Sequence, residues 1–164
     1  MRVGILADTH LSRVRRDDPA VSWAIEQFAG VDAILHAGDV GDLDWLETVA
    51  FAGIPIHAVA GNCDEALGDP RLPGQRIVTF DRWRIGLTHG WGGPNGMVDR
   101  VATLFARDEV QAVVFGHSHQ PHLEKRQGVV YFNPGSLTQP RGGPPSLGLL
   151  TEQDGVLTFT HVSR

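Results

Sequence analysis

Five short clusters carry most of the chemistry that this sequence can offer: Asp8-Thr9-His10, Gly38-Asp39, Gly61-Asn62-Cys63-Asp64, Thr88-His89-Gly90 and Gly116-His117-Ser118-His119. Four of the chain's eight histidines fall within them. Turn formers such as Asp and Asn collect at strand ends for conformational reasons. That habit does not explain four histidines. The combined set is Asp8, His10, Asp39, Asn62, His89, His117 and His119, an oxygen and nitrogen donor set without a thiolate. Such a set suits manganese, iron, nickel or zinc rather than calcium. Seven donors exceed what one catalytic metal with an open position takes. They suit two metals about 3.5–4 Å apart sharing a carboxylate, an arrangement used to cleave phosphoesters. Gly38, Gly61, Gly90 and Gly116 each adjoin a donor, where a missing side chain lets the backbone approach closely.

The elements that must position these clusters follow from the apolar pattern. Residues 1–7, 33–37 and 54–60 read as buried strands, each running into a polar cluster. Between the first two, Asp18-Pro19 predicts a capped helix carrying Val21, Ala24, Ile25 and Phe28 and ending at Gly30. Asp42 predicts a second helix carrying Leu43, Leu46, Val49 and Ala50, closed by Gly53. This alternation implies a parallel sheet with right-handed crossovers. Residues 77–80 and 84–88 predict a hairpin around Asp81-Arg82-Trp83. A helix follows over 97–107 and a buried strand over 110–115. Residues 122–126 pair with 129–132 across Gln127-Gly128, and 147–151 with 156–160 across Asp154-Gly155. The expected fold class is α/β (α+β): two stacked mixed β-sheets flanked by helices, in one domain over 1–164. Ligands in open α/β sheets sit at the carboxyl ends of strands, so the clusters should converge on one edge.

Composition bounds the function. The chain has 164 residues, about one domain, with 41% hydrophobic and 20% charged residues, which argues against disorder. A net charge of −5 argues against stable binding to nucleic acid or to an anionic membrane surface. No apolar run reaches the ~18 residues that span a bilayer. Asp8 interrupts the first run too early for a secretory signal, so a cytoplasmic protein is expected. The only cysteine, Cys63, excludes an intrachain disulfide and a cysteine-based zinc site.

The ordered series DTH, GD, GNCD, THG and GHSH resembles the calcineurin-like metallophosphoesterases. The GNCD motif, the later Asn133-Pro134-Gly135-Ser136 and the lack of a cap insertion resemble the small YfcE-type phosphodiesterase branch. The likeness runs from Asp8 to about Arg141. It implies two β-sheets flanked by helices and two divalent transition metals, manganese first among them. By the resemblance, Asp8, His10 and His119 would bind one metal, and Asn62, His89 and His117 the other. Asp39 would bridge both. Catalytic roles would fall to Asp39, Asn62 and His89, with a metal-bound water or hydroxide attacking the phosphorus of a small phosphodiester.

One departure concerns Cys63, which stands where many members carry a histidine able to assist the leaving group. A thiol is a weak donor and a poorer general acid than imidazolium near neutrality. Two other functions stay open beside the diesterase: a phosphomonoesterase on the same metals, and a protein-interaction scaffold resembling the retromer subunit of this fold. That subunit carries altered metal-centre residues, whereas the seven donors here are intact. Arg13, Arg15 and Arg16 form a basic run that reads as a solvated loop or as a lure for anions. Asn133, Ser136 and Arg141 could contact a ligand or phosphate, and His36 could orient a ligand. His57, His122 and His161 read as ordinary surface or core residues. A homo-oligomer stays open, because Trp23, Trp45, Trp83 and Trp91 could serve core or interface.

Overall fold

In a computed structural model, which describes residues 1–65 and 68–164, the chain alternates strands and helices before turning to hairpins. It runs β1 (Arg2–Leu6), α1 (Pro19–Gln27), β2 (Ala33–His36), α2 (Leu43–Trp45) and β3 (Ile56–Ala58). Then come β4 (Gln75–Phe80), β5 (Trp83–Thr88), α3 (Met97–Leu104), β6 (Ala112–Val114), β7 (Pro121–Arg126), β8 (Val129–Pro134), β9 (Ser146–Gln153) and β10 (Val156–Ser163). One sheet has the order β10-β9-β1-β2-β3 and the other β4-β5-β6-β8-β7. β1, β2 and β3 are mutually parallel, and β9 closes antiparallel on β1.

Strand alternation builds the layers. Val3, Ile5 and Ala7 of the first sheet meet Ile85, Leu87 and Val114 of the second in one buried cluster between the sheets. Leu6 and Ile34 point the other way and pack on Val21, Ala24 and Phe28 of the α1 segment. Gly4 makes room there, since a Cβ would stand 2.7 Å from the Phe28 ring. Val113 and Tyr131 pack on Met97, Val101 and Phe105 outside the second sheet. The two stacked mixed sheets with outer helices are thus observed.

Several local expectations are corrected. The Asp42 side chain does cap α2 by accepting the Trp45 N–H at 2.9 Å. The helix then widens into a π turn over Leu46–Ala50, with the Phe51 N–H donating to the Leu46 carbonyl. One extra residue per turn rotates the apolar period, so Leu46 and Ala50 stay buried while Val49 is 63% exposed. Ile25, expected on the buried face of α1, is 42% exposed. β3 and β6 are shorter than predicted, and α3 stops at Leu104. The β4–β5 turn tightens to Asp81 and Arg82, because Trp83 pairs with Phe80. β8 extends through Asn133 and Pro134, which fixes which way the following Gly135-Ser136 turn faces.

Candidate metal centre

All seven predicted donors meet at the carboxyl ends of β1, β2, β5 and β6 and the loops beyond β3 and β6. Four of them, Asp8, His10, Asp39 and His119, are buried and offer ligand atoms within 4.8 Å of one another. Asp39 Oδ2 lies 3.6 Å from His10 Nε2 and 3.5 Å from His89 Nε2. Asn62 Oδ1 lies 3.2 Å from His89 Nε2 and 3.0 Å from His117 Nδ1. Asp39 therefore stands between two groups, one enclosed and one, through the exposed Asn62, open to solvent.

The backbone is strained where the donors sit. Asp8, His10, Asp39, His117 and His119 all have positive φ, from 43° to 70°. Each such conformation costs a non-glycine residue on the order of 1 kcal/mol or more, so the surroundings must impose it. The Asp8 N–H donates to the Gly38 carbonyl and the His10 N–H to the Asp39 carbonyl, tying the first two loops together. Asp64 does the same for the next pair: its carboxylate accepts N–H groups from Val40, Gly41 and Gly61, each at 3.0 Å. Gly61 is required for close approach, since a Cβ there would overlap the Asp39 carboxylate and N–H. Gly38 is required likewise, because a Cβ would stand 2.7 Å from the His89 ring.

Hydrogen bonds at the far ring nitrogens settle which imidazole atoms face the centre. His119 Nδ1 donates to the Gln139 carbonyl at 2.6 Å, and His89 Nδ1 donates to the Ala37 carbonyl at 2.7 Å. His117 Nε2 donates to the Gly92 carbonyl at 3.0 Å. In their neutral forms these rings turn lone pairs toward carboxylate and amide oxygens that are themselves acceptors. Among the described residues, Asp8 Oδ1 has no hydrogen-bond partner; it is buried 3.3 Å from His119 Nε2. Acceptor oxygens and ring nitrogens converging on one space are what a cation would satisfy, so the residues fit divalent metals of the oxygen and nitrogen class.

Electrostatics point the same way. Burial pushes the Asp8 carboxyl up to about 7, with His89 opposing the shift. Burial also acts to raise Asp39, but the His89 imidazole and the Cys63 N–H outweigh it and hold Asp39 well below the usual carboxylate range. For His89, burial is outweighed by Asp39 and Asp8, which raise it. Burial lowers His10, His117 and His119. A metal-free centre thus draws protons onto Asp8 and His89, and a bound cation would take the place of that positive charge.

The surrounding residues sort clearly. The Ser136 hydroxyl is buried and donates to the Asp8 carbonyl at 2.7 Å, while the Asn133 amide donates to the Gly116 carbonyl at 2.8 Å. Both hold donor-bearing loops through bonds to backbone carbonyls. His36 Nε2 donates to the Thr9 hydroxyl, which donates to the Val40 carbonyl, so His36 steadies the loop between Asp8 and His10. Burial holds His36 down to about 4, which keeps it neutral. Arg15 pairs with Asp17, and Arg16 with Asp42. The exposed Arg13 and Arg141 instead flank the centre, and their charges act on His10 and Asp8 respectively. His161 is a packing residue, stacked on Phe132 with centroids 4.4 Å apart. A groove of about 650 Å³ opens beside Asn62, His89 and His117, with Trp91 on its wall.

Asp64 was not among the expected site residues; its carboxylate reaches back three residues to the Gly61 N–H, as the N3 side chain of a capping box does. From sequence, Trp91 stays open between core and interface. The fold and this cluster define a two-sheet α/β protein with a candidate metal centre at its strand ends. Residues 1–155 match the Calcineurin-like phosphoesterase superfamily domain, and the chain belongs to that family. A probable metallophosphoesterase of Methanothermobacter thermautotrophicus is 33% identical over 153 residues, covering 92% of this chain and 85% of the relative. The phosphodiesterase YfcE of Escherichia coli is 36% identical over 103 residues, covering 58% of this chain and 52% of the relative. The solved structure of that phosphoesterase superposes with a TM-score of 0.66 at 25% identity over 99% of both chains. Vps29 of Entamoeba histolytica, solved with zinc, superposes with a TM-score of 0.72 at 22% identity over 99% of both chains, a likeness of fold. No helix among the described residues is long and apolar enough to cross a membrane.

Proposed function

We propose that the chain is a metal-dependent phosphodiesterase acting on small phosphodiesters at a dinuclear centre. The observation that carries this reading is the meeting of seven oxygen and nitrogen donors at one edge of the sheets, four of them with ligand atoms within 4.8 Å of one another. Asp8, His10 and His119 would hold one cation, Asn62, His89 and His117 the other, and Asp39 both. When bound, the cations lower the pKa of a coordinated water toward neutrality and neutralise charge on the phosphoryl oxygens. The carbonyls of Gln139, Ala37 and Gly92 fix the tautomer and orientation of three of the rings. The exposed Arg13 and Arg141 supply positive charge near His10 and Asp8 that draws an anionic ester in a chain of net charge −5. The same net charge argues against nucleic acid or an anionic membrane surface as partner and favours a small substrate.

Elemental analysis together with turnover of bis(p-nitrophenyl) phosphate tests the reading. Two transition-metal ions per chain and turnover that vanishes with a chelator and returns with Mn²⁺ are expected. Metal-free protein that is fully active would overturn the dinuclear assignment. Metal without any phosphoester turnover would favour a scaffold, and a preference for p-nitrophenyl phosphate would favour a monoesterase.

Cys63 bears on that last choice. Its N–H donates to Asp39 Oδ1 at 2.8 Å, and its sulfur lies 3.5 Å from the Asn62 amide nitrogen. Burial and then the Asp39 charge raise the thiol, which leaves a neutral and weak donor at position 63. Alkyl leaving groups need a proton and aryl ones hardly do, so diesters with good leaving groups are favoured. At equal metal occupancy, Cys63→His is expected to raise the alkyl-to-aryl ratio of kcat/KM by about 10²-fold, the lower end of general-acid assistance. An unchanged ratio means that position 63 does not face the leaving group.

A further inference from the structure

We propose that the groove beside Asn62 and His117 is a nucleobase subsite, with Trp91 as its stacking platform, so that the substrates are small nucleoside-bearing phosphodiesters. This deepens the phosphodiesterase reading and rests on it. The groove adjoins the open half of the centre: Asn62, His89 and His117 line its inner end. A phosphoryl group held there would send one ester arm along it. The volume, about 650 Å³, lies within the ~300–1,000 Å³ of small-molecule sites. Trp91 lines the groove and is 46% exposed, an indole left uncovered by the fold. Leu104 adds apolar surface, while Gln75 and Glu65 place an amide and a carboxylate on the same walls. A planar ring with polar edges matches that lining. A second anionic group does not, because Glu65 would repel it.

The platform is preset. Arg100 donates to the carbonyls of Trp91 at 2.7 Å and Asn95 at 2.9 Å, and also to that of Gly93. One guanidinium thus fixes the loop that carries the indole, which lowers the ordering cost of binding. The neighbouring Gly92 carbonyl accepts the His117 Nε2–H, so the same loop sets both the platform and a metal-facing ring. Stacking on an aromatic side chain tolerates any base, since every base has a π face.

Calorimetry on manganese-loaded protein separates the base from the rest of the ligand. Uridine 5′-monophosphate and ribose 5-phosphate share phosphate and sugar and differ in the base. The wild type is expected to bind the nucleotide about 10-fold or more tightly, within the range for one stacked base. Trp91→Ala should bring the two affinities together, and Trp91→Phe should keep most of the preference. Equal binding by the wild type, no measurable nucleotide binding, or a preference unchanged in Trp91→Ala would each overturn the subsite. A base preference lost in Trp91→Ala, in protein that turns over no diester, would uphold the subsite and sink only the phosphodiesterase reading.

Discussion

Asp39→Asn is expected to lower kcat/KM by about 10³-fold or more, whereas Asn62→Ala costs about 10–100-fold. The difference follows from what each side chain touches. Asp39 Oδ2 faces His10 at 3.6 Å and His89 at 3.5 Å, one from each group of donors, and Oδ1 accepts the Cys63 N–H. Two dications about 4 Å apart repel strongly in a partly dry site, and a shared carboxylate offsets that repulsion. An amide of the same shape keeps the loop but removes the charge. Asn62 is neutral and exposed, and its amide oxygen faces His89 and His117, both in the same group of donors. Elemental analysis should therefore show Asp39→Asn with fewer than two metals per chain and Asn62→Ala closer to two. If Asp39→Asn kept most of the wild-type turnover, the bridging role would be wrong whatever the fold.

Much of this centre was legible because each donor lies within a few residues of a strand end, and strand ends are readable from short apolar runs. His117 and His119 could be placed together from sequence because they share one loop beyond β6. Facing directions were less legible. Asn133 and Ser136 are expected from sequence to contact a ligand or phosphate; with β8 extended through Pro134, both side chains bond backbone carbonyls instead, Ser136 that of the donor Asp8 and Asn133 that of Gly116. Val49 fitted a helical period that a π turn then broke, which no count of apolar spacing detects. Trp91 carries no periodic signal at all. Its exposure depends on a loop pinned by Arg100, nine residues further on.

The hardest residue to read was Asp64, whose replacement should cost the most stability. It is 2% exposed, and its two oxygens accept three N–H groups, from Val40, Gly41 and Gly61. Two of those lie 24 and 23 residues away, so the sequence shows only a fourth letter in GNCD. Asp64→Ala leaves those donors without an acceptor in a space too tight for free solvation. Each orphaned buried N–H costs about 1–3 kcal/mol, so the variant should lose about 3 kcal/mol or more. That is a large share of the ~5–15 kcal/mol that holds a domain of this kind folded. Thermal unfolding should shift down by roughly 6–12 °C or more. Metal affinity should fall as well, because the orphaned groups flank Asp39 and begin the loop that carries Asn62. Asp64→Asn keeps one accepting oxygen and should fall between the two. An Asp64→Ala protein that melts within about 2 °C of wild type and binds metal normally would mean that the two loops hold their shape without this carboxylate, through bonds such as that from the Cys63 N–H to Asp39.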